Sequence, residues 1–73
     1  MTTYLCYRGN GEYFHGTSDG YEAVCRAKAE ADRSGTYADA VQIKDGEISC
    51  VRFYADGKTE KREERDGDAD TDL

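Results

Sequence analysis

The chain has 73 residues, 27 of them apolar, which is enough for one small domain with a thin core. Sixteen Asp and Glu residues against ten Lys and Arg give a net charge of −6. This balance argues against nucleic acid and anionic membranes as direct partners, because both bind clustered basic side chains. No apolar run reaches the length of a signal-peptide core or a membrane span, so we expect a cytoplasmic protein.

A first β-hairpin is predicted from residues 3–8 and 12–15, which are rich in aromatic and β-favouring side chains. The dipeptide Asn10-Gly11 between them is typical of a type I′ turn and sets Cys6 opposite His15. A three-residue turn would shift this register by one residue. The predicted faces of the hairpin are Leu5, Tyr7 and Phe14 on one side, and Tyr4, Cys6, Arg8, Tyr13 and His15 on the other.

A helix is predicted over residues 20–34. Asp19 is suited to the N-cap, Glu22 follows at capping-box spacing, and Gly35 is suited to the left-handed residue after the last turn. Small residues recur at helical spacing, so this helix can pack closely on a sheet. The predicted stripe is Gly20, Val24, Ala27 and Ala31, with Ala23 beside it.

A second hairpin is predicted over residues 38–54 around the type I′ signal Asp45-Gly46. The register pairs Lys44 with Glu47, Ile43 with Ile48, Val41 with Cys50 and Asp39 with Arg52. We expect one face of this hairpin beneath the helix, formed by Val41, Ile43, Ile48 and Cys50. Val51 and Phe53 are then expected on the opposite, open face.

Residues 58–73 contain two apolar side chains in sixteen, so they are predicted to form a disordered charged tail, with a helical turn over residues 58–65 as an option. The expected fold class is α+β. It consists of an antiparallel sheet of about four strands with one helix on one face, in the order β-β-α-β-β. Residues 1–57 are expected to be the single domain.

The three cysteines Cys6, Cys25 and Cys50 could form a Cys3His zinc site with His15. Structural zinc sites usually contain closely spaced ligand pairs, which are missing here, so we expect free thiols that act as small apolar residues. The run from Asp66 to Asp72 begins like a calcium loop but lacks its central glycine and its last glutamate. We therefore predict no metal and no cofactor.

Tyr4-Leu5, the segment from Tyr13 to Ser18 and Arg26 resemble the start of the GIY-YIG endonucleases. In that family two tyrosines, a helical arginine and a metal-binding glutamate cleave phosphodiesters. The present chain lacks Gly-Ile-Tyr in the first signature and has Phe-His in place of Tyr-Ile in the second. A nuclease remnant is thus a remote alternative, and no enzymatic activity is expected, because no catalytic triad or phosphate-binding loop is present either.

Two surfaces are the candidate binding sites. Self-association is predicted through an apolar group on the open face of the sheet. Its residues are Tyr4, Tyr13, Val51 and Phe53. A contact with a basic protein surface is predicted through carboxylates on the helix and the second hairpin. Its residues are Glu22, Glu30, Asp45 and Glu47.

In size and charge the chain resembles small acidic inhibitors encoded by phages and mobile elements, including anti-CRISPR and anti-restriction proteins. The resemblance implies that carboxylates compete with phosphates for a Lys/Arg-lined channel of a nuclease in the host cytoplasm. The alternative is a small dimeric adaptor or housekeeping domain whose acidity serves solubility, as in salt-adapted organisms. Binding to a basic protein at low salt distinguishes the two functions.

Overall fold

The structure, a computed structural model, describes residues 1–64, with side chains through residue 62. The elements of this part of the chain are, in order, β1 (Thr2–Arg8), β2 (Tyr13–Thr17), α1 (Gly20–Ser34), β3 (Tyr37–Lys44), β4 (Glu47–Tyr54) and β5 (Thr59–Glu64). These five strands form one antiparallel sheet in the order β2-β1-β3-β4-β5, and the expected α+β class is confirmed with one strand more than predicted.

The fifth strand corrects the prediction of a tail that begins at residue 58. Strand β5 pairs with β4 along its whole length, and the Tyr54 hydroxyl donates a hydrogen bond to Glu60 at 2.9 Å. Main-chain hydrogen bonds to the edge of β4 hold this polar segment in a strand, although the segment has no hydrophobic core of its own. The predicted domain end at Gly57 is therefore wrong, because Gly57 lies in the turn between β4 and β5. Residues 65–73 of the predicted tail, with the calcium-like run, lie outside the described residues.

Helix α1 has the predicted bounds because the residues that cap it, Asp19 and Gly35, directly adjoin its two ends. The Asp19 carboxylate accepts hydrogen bonds from the main-chain N–H groups of Tyr21 and Glu22, at 3.0 and 3.4 Å. At the other end Gly35 has a φ of 75° and donates its N–H to Ala31. Both are the arrangements that end a helix with satisfied backbone groups.

The core lies between α1 and the sheet and consists mainly of alanines. Because the helix stripe is small, α1 approaches the sheet where the sheet side chains are also small, at Ala38 and Ala40. Phe53 fills the space beside them and is 5% exposed. The buried apolar residues are Cys6, Ala23, Ala27, Ala31, Ala38, Ala40 and Phe53. Val24, predicted on the stripe, is 37% exposed.

The register of β3 and β4 is confirmed, but the prediction of which face lies beneath the helix was wrong. Val51 and Phe53 pack in the core together with Ala38 and Ala40. Successive side chains of a strand point to opposite faces, so the residues predicted beneath the helix lie on the uncovered side. They are Val41, Ile43, Ile48 and Cys50. Both faces of this hairpin are apolar, so the contrast that usually identifies a core face is weak here.

A β-bulge changes the faces of the first hairpin. Cys6 pairs with His15 as predicted, but Tyr7 pairs with Tyr13, which leaves Phe14 as the extra residue. Phe14 packs against the core, and Tyr13 moves to the uncovered face, where its ring contacts that of Tyr7. Both residues are thus on the face opposite to the predicted one.

The turn of the first hairpin is the three-residue alternative and not the expected two-residue turn. Gly9, Asn10 and Gly11 form the loop, in which the N–H of Gly11 donates to the carbonyl of Arg8 at 2.8 Å. Gly11 has a φ of 90°, whereas Asn10 is not in the left-handed region. The left-handed residue is therefore the last of the loop, as in hairpins with a G1 bulge, and of the two predicted type I′ turns the one at Asp45-Gly46 is found.

Candidate functional site

One end of the sheet gathers several carboxylates, and we call it the acidic end. Strand β1 begins there beside the end of β3, since Thr2 pairs with Lys44, and β2 ends there at Thr17. Helix α1 also begins at this end. The acidic end is defined by Asp19, Glu22, Asp45 and Glu47, and the basic side chain of Lys44 lies among them.

Two of the predicted partner-binding residues lie exposed at the acidic end. Asp45 and Gly46 form the tip of the β3–β4 hairpin with φ values of 52° and 83°, and Glu47 follows directly. The Asp45 carboxylate lies 3.7 Å from the amino group of Met1, and its side chain is 73% exposed. Both carboxylates are available to a partner.

Glu22 is held more firmly than the sequence suggested. Its carboxylate lies 2.7 Å from His15 Nε2 and accepts a hydrogen bond from the Thr17 hydroxyl at 3.3 Å. These contacts fix α1 against β2, and the Glu22 side chain is 41% exposed. Glu22 thus contributes to the acidic end from a fixed position.

Glu30 does not project from the domain, which corrects its prediction as a partner-binding residue. Its side chain is 7% exposed and accepts two hydrogen bonds from Arg33, the shorter at 2.7 Å. Arg8 of β1 lies 3.3 Å from the same carboxylate. The hydrogen bond from Arg33 lowers the pKa of Glu30 below its ordinary value, although burial acts in the opposite direction. Glu30 joins α1 to the sheet.

Most of the net charge belongs to the last residues of the sequence. Residues 1–62 contain nine Lys and Arg against ten Asp and Glu, whereas residues 63–73 contain one Arg against six Asp and Glu. Five of the six net negative charges therefore belong to residues 63–73. Strand β5 ends at Glu64 beside Ile48, so the chain continues from the acidic end.

The second candidate surface is the side of the sheet that α1 leaves uncovered, which we call the open face. Its aliphatic zone, nearest the acidic end, is Leu5, Val41, Ile43, Ile48 and Cys50. Its tyrosine zone, at the other end, is Tyr7, Tyr13, Tyr37 and Tyr54. Among the residues predicted for self-association only Tyr13 lies here, since Tyr4, Val51 and Phe53 are on the helix side.

An ion pair lies in the middle of the tyrosine zone. The Arg52 guanidinium donates two hydrogen bonds to Asp39, at 2.8 and 3.2 Å, and stacks on Tyr37 with 3.9 Å to the ring centroid. The two side chains are 25% and 18% exposed. A partner that covers this zone would bury charges that already neutralise one another.

The residues that resemble the nuclease signature are not brought together. The Tyr4 hydroxyl lies beneath the start of α1 beside Gly20, whereas Tyr13 lies on the open face. Arg26 is exposed on α1. Two tyrosines on opposite faces of one sheet cannot act on the same phosphate.

The cysteines are also dispersed. Cys6 is fully buried and its thiol donates to the carbonyl of Ala23 at 3.6 Å, and burial raises the pKa of this thiol. Cys25 is exposed on α1, and Cys50 lies on the open face. Within residues 1–64 no group of three potential metal ligands is found. The Cys3His set therefore does not assemble around His15.

Comparison of the chain with protein-family models, with curated proteins and with solved structures gives no match. Among the described residues no helix is long and apolar enough to cross a membrane.

Sequence reasoning missed the composition of the open face, although a signal for it was present. A helix stripe made of alanines needs small partners on the sheet, and Ala38 and Ala40 are the small residues of β3. Assigning them to the helix side would have placed Tyr37, Asp39 and Val41 on the open face by alternation.

Proposed function

We propose that this chain is a small non-enzymatic binding protein that uses its acidic end to occupy a basic, nucleic-acid-binding surface of another protein. The observation that carries the proposal is that the chain leaves β5 at the acidic end and continues into the segment that holds most of the net negative charge. A nuclease complex such as a CRISPR effector or a restriction enzyme presents a Lys/Arg-lined surface of the required sign.

The uneven distribution of charge favours specific binding over a role in solubility alone. Acidic residues that only keep a protein soluble need no common location, and residues 1–62 are almost neutral by themselves. A local excess of carboxylates instead creates a directed field that steers a basic partner to one end of the molecule. Asp45 and Glu47 extend this field onto an ordered hairpin.

The test measures displacement of labelled DNA from purified CRISPR effectors and restriction nucleases by the full-length chain at low salt. We expect saturable inhibition that weakens steeply with salt, since exposed charges are screened within about 10 Å at 0.1 M ionic strength. The decisive variant neutralises the two hairpin carboxylates of the acidic end and the four aspartates of the segment beyond it. Its substitutions are Asp45→Asn, Glu47→Gln, Asp66→Asn, Asp68→Asn, Asp70→Asn and Asp72→Asn.

A positional control neutralises two carboxylates at the opposite end of the sheet, with Glu12→Gln and Asp56→Asn, and is compared with the double variant Asp45→Asn and Glu47→Gln as well as with the decisive variant. The control should inhibit like the wild type, whereas the decisive variant should lose inhibition without a change in thermal midpoint, because surface charges contribute little to stability. Equal inhibition by both variants would refute charge mimicry. Failure to displace DNA from any of these enzymes would favour the alternative of a dimeric adaptor.

A further inference from the structure

The open face has the composition of a protein interface. It combines four tyrosines and two arginines with aliphatic side chains, and Tyr and Arg are the residue types enriched at the centres of such interfaces. Ile48 and Tyr13 are 45% and 53% exposed. Within residues 1–64 no element covers the open face, since the helix packs on the other side of the sheet.

The face is large enough for a stable contact when all of it is used. Five strands at a spacing of about 4.8 Å, and eight-residue central strands that rise about 3.3 Å per residue, give a surface of about 24 by 26 Å. Its projected area is about 600 Å². The accessible area is larger because side chains project from the sheet, and it approaches the ~800 Å² that each partner buries in standard interfaces. Both zones are therefore required.

Charge identifies the occupant. The described charged side chains of the open face are two of each sign, Asp39 and Glu60 against Arg52 and Arg62, on a chain of net charge −6. Two copies of an acidic chain repel one another except through a neutral surface. A basic partner, in contrast, is attracted to the acidic end and gains nothing from this face.

The two zones define the orientation of the second copy. A twofold axis that lies between the sheets and runs across the strands places the aliphatic zone of each copy over the tyrosine zone of the other. The same rotation sends the two acidic ends to opposite ends of the assembly, which minimises their repulsion. The Asp39–Arg52 pair is then buried with its charges already matched.

We propose that the open face is a self-association surface, on which a second copy of this chain packs face to face in this antiparallel orientation. The assembly has two sheets inside and two helices outside. It leaves both acidic ends exposed, so it is independent of the function proposed above.

The first test compares two glutamate substitutions at aliphatic residues of similar exposure. Ile48 is 45% exposed on the open face and Val24 is 37% exposed on α1. In sedimentation equilibrium the wild type should be a dimer, Ile48→Glu should raise the dissociation constant at least about tenfold, and Val24→Glu should behave like the wild type. A wild type that stays monomeric up to about 1 mM, or equal effects of the two variants, would overturn the proposal.

The second test addresses orientation by charge pairing between copies. In the antiparallel arrangement Ile48 of one copy lies over Tyr54 of its partner, so Ile48→Glu and Tyr54→Lys should each be monomeric alone and should form a heterodimer when mixed. Far-UV and near-UV circular dichroism of each variant establishes that it is folded. Absence of a heterodimer from two folded variants would refute the antiparallel arrangement.

Salt separates this proposal from the preceding one. Screening reduces repulsion between two acidic copies, so dimer formation should be unchanged or strengthened by added salt, whereas binding of the acidic end to a basic partner should weaken. A dimer that dissociates as salt is raised would contradict the neutral face as the contact.

Discussion

The Arg52 guanidinium is bound by the carboxylate of Asp39 through two hydrogen bonds and lies over the ring of Tyr37. The bond to Asp39 raises the pKa of Arg52 above its ordinary value, although burial opposes it. Asp39 and Arg52 are direct partners in the register of β3 and β4, the two longest strands of the sheet. One ion pair thus joins these strands within the tyrosine zone of the open face.

Replacing the acceptor should weaken the fold. We expect Asp39→Asn to lower the free energy of unfolding by about 1–2 kcal/mol, because the partly buried Arg52 loses a charged partner. Urea denaturation of the full chain measures the change. Asp32→Asn, at an exposed position of α1, is the control and should change stability by less than about 0.5 kcal/mol. Equal losses in the two variants would show that the pair contributes nothing.

Features of the fold that depend on neighbouring residues could be predicted from the sequence. The bounds of α1 follow from Asp19 and Gly35, which satisfy the backbone groups at its two ends. The register of β3 and β4 follows from the two-residue turn Asp45-Gly46, which leaves one pairing possible. In both cases a few adjacent residues determine the geometry.

Features that depend on distant residues could not be predicted in this way. Alternation divides β3 and β4 into two faces, but only the packing of α1 decides which face is covered, and it selects Ala38 and Ala40. Glu30 looked like a solvated helix residue because Arg8, which helps to bury it, lies 22 positions earlier in the chain. Strand β5 likewise forms because it pairs with the edge of β4, and its own composition does not indicate a strand.

The close packing of α1 on the sheet predicts that its buried alanines tolerate no enlargement. Ala27 is completely buried, so Ala27→Leu should destabilise the fold by about 1–3 kcal/mol through overpacking. Ala29→Leu places the same side chain on the exposed side of the same helix and should be nearly neutral. Thermal and urea denaturation of both variants measure the difference. An Ala27→Leu protein as stable as the control would mean that the helix does not pack closely on β3.

The three thiols should differ in reactivity in the folded protein. Cys25 is exposed and should be alkylated first, whereas Cys6 is fully buried and its pKa is raised by burial, which lowers the thiolate fraction. Mass spectrometry of peptides after timed treatment with iodoacetamide assigns the sites. Cys6 should react only in urea, and Cys25→Ser should remove the fast phase. Rapid alkylation of Cys6 without denaturant would contradict its position beneath α1.

The buried carboxylate of Glu30 should make stability depend on pH in the acid range. Hydrogen bonds from Arg33 and the nearby charge of Arg8 lower the pKa of Glu30 in the folded state. Because the carboxyl pKa is lower in the folded state, the unfolded state binds the proton at a higher pH than the folded state does. The stabilisation is therefore complete above the unfolded pKa of about 4.3 and is lost as pH falls through the lower folded value. Urea denaturation between pH 6 and pH 2.5, at constant ionic strength, measures this dependence.

Glu30→Gln should flatten this acid dependence, because the amide carries no titrating proton and no charge for Arg33 and Arg8. Glu12→Gln is the matched control, since Glu12 also pairs with Arg8, at 3.3 Å, but is 62% exposed. The control should retain the loss of stability below about pH 4.3. If the wild type and Glu30→Gln lose stability in parallel as pH falls, Glu30 is not the source of the acid dependence.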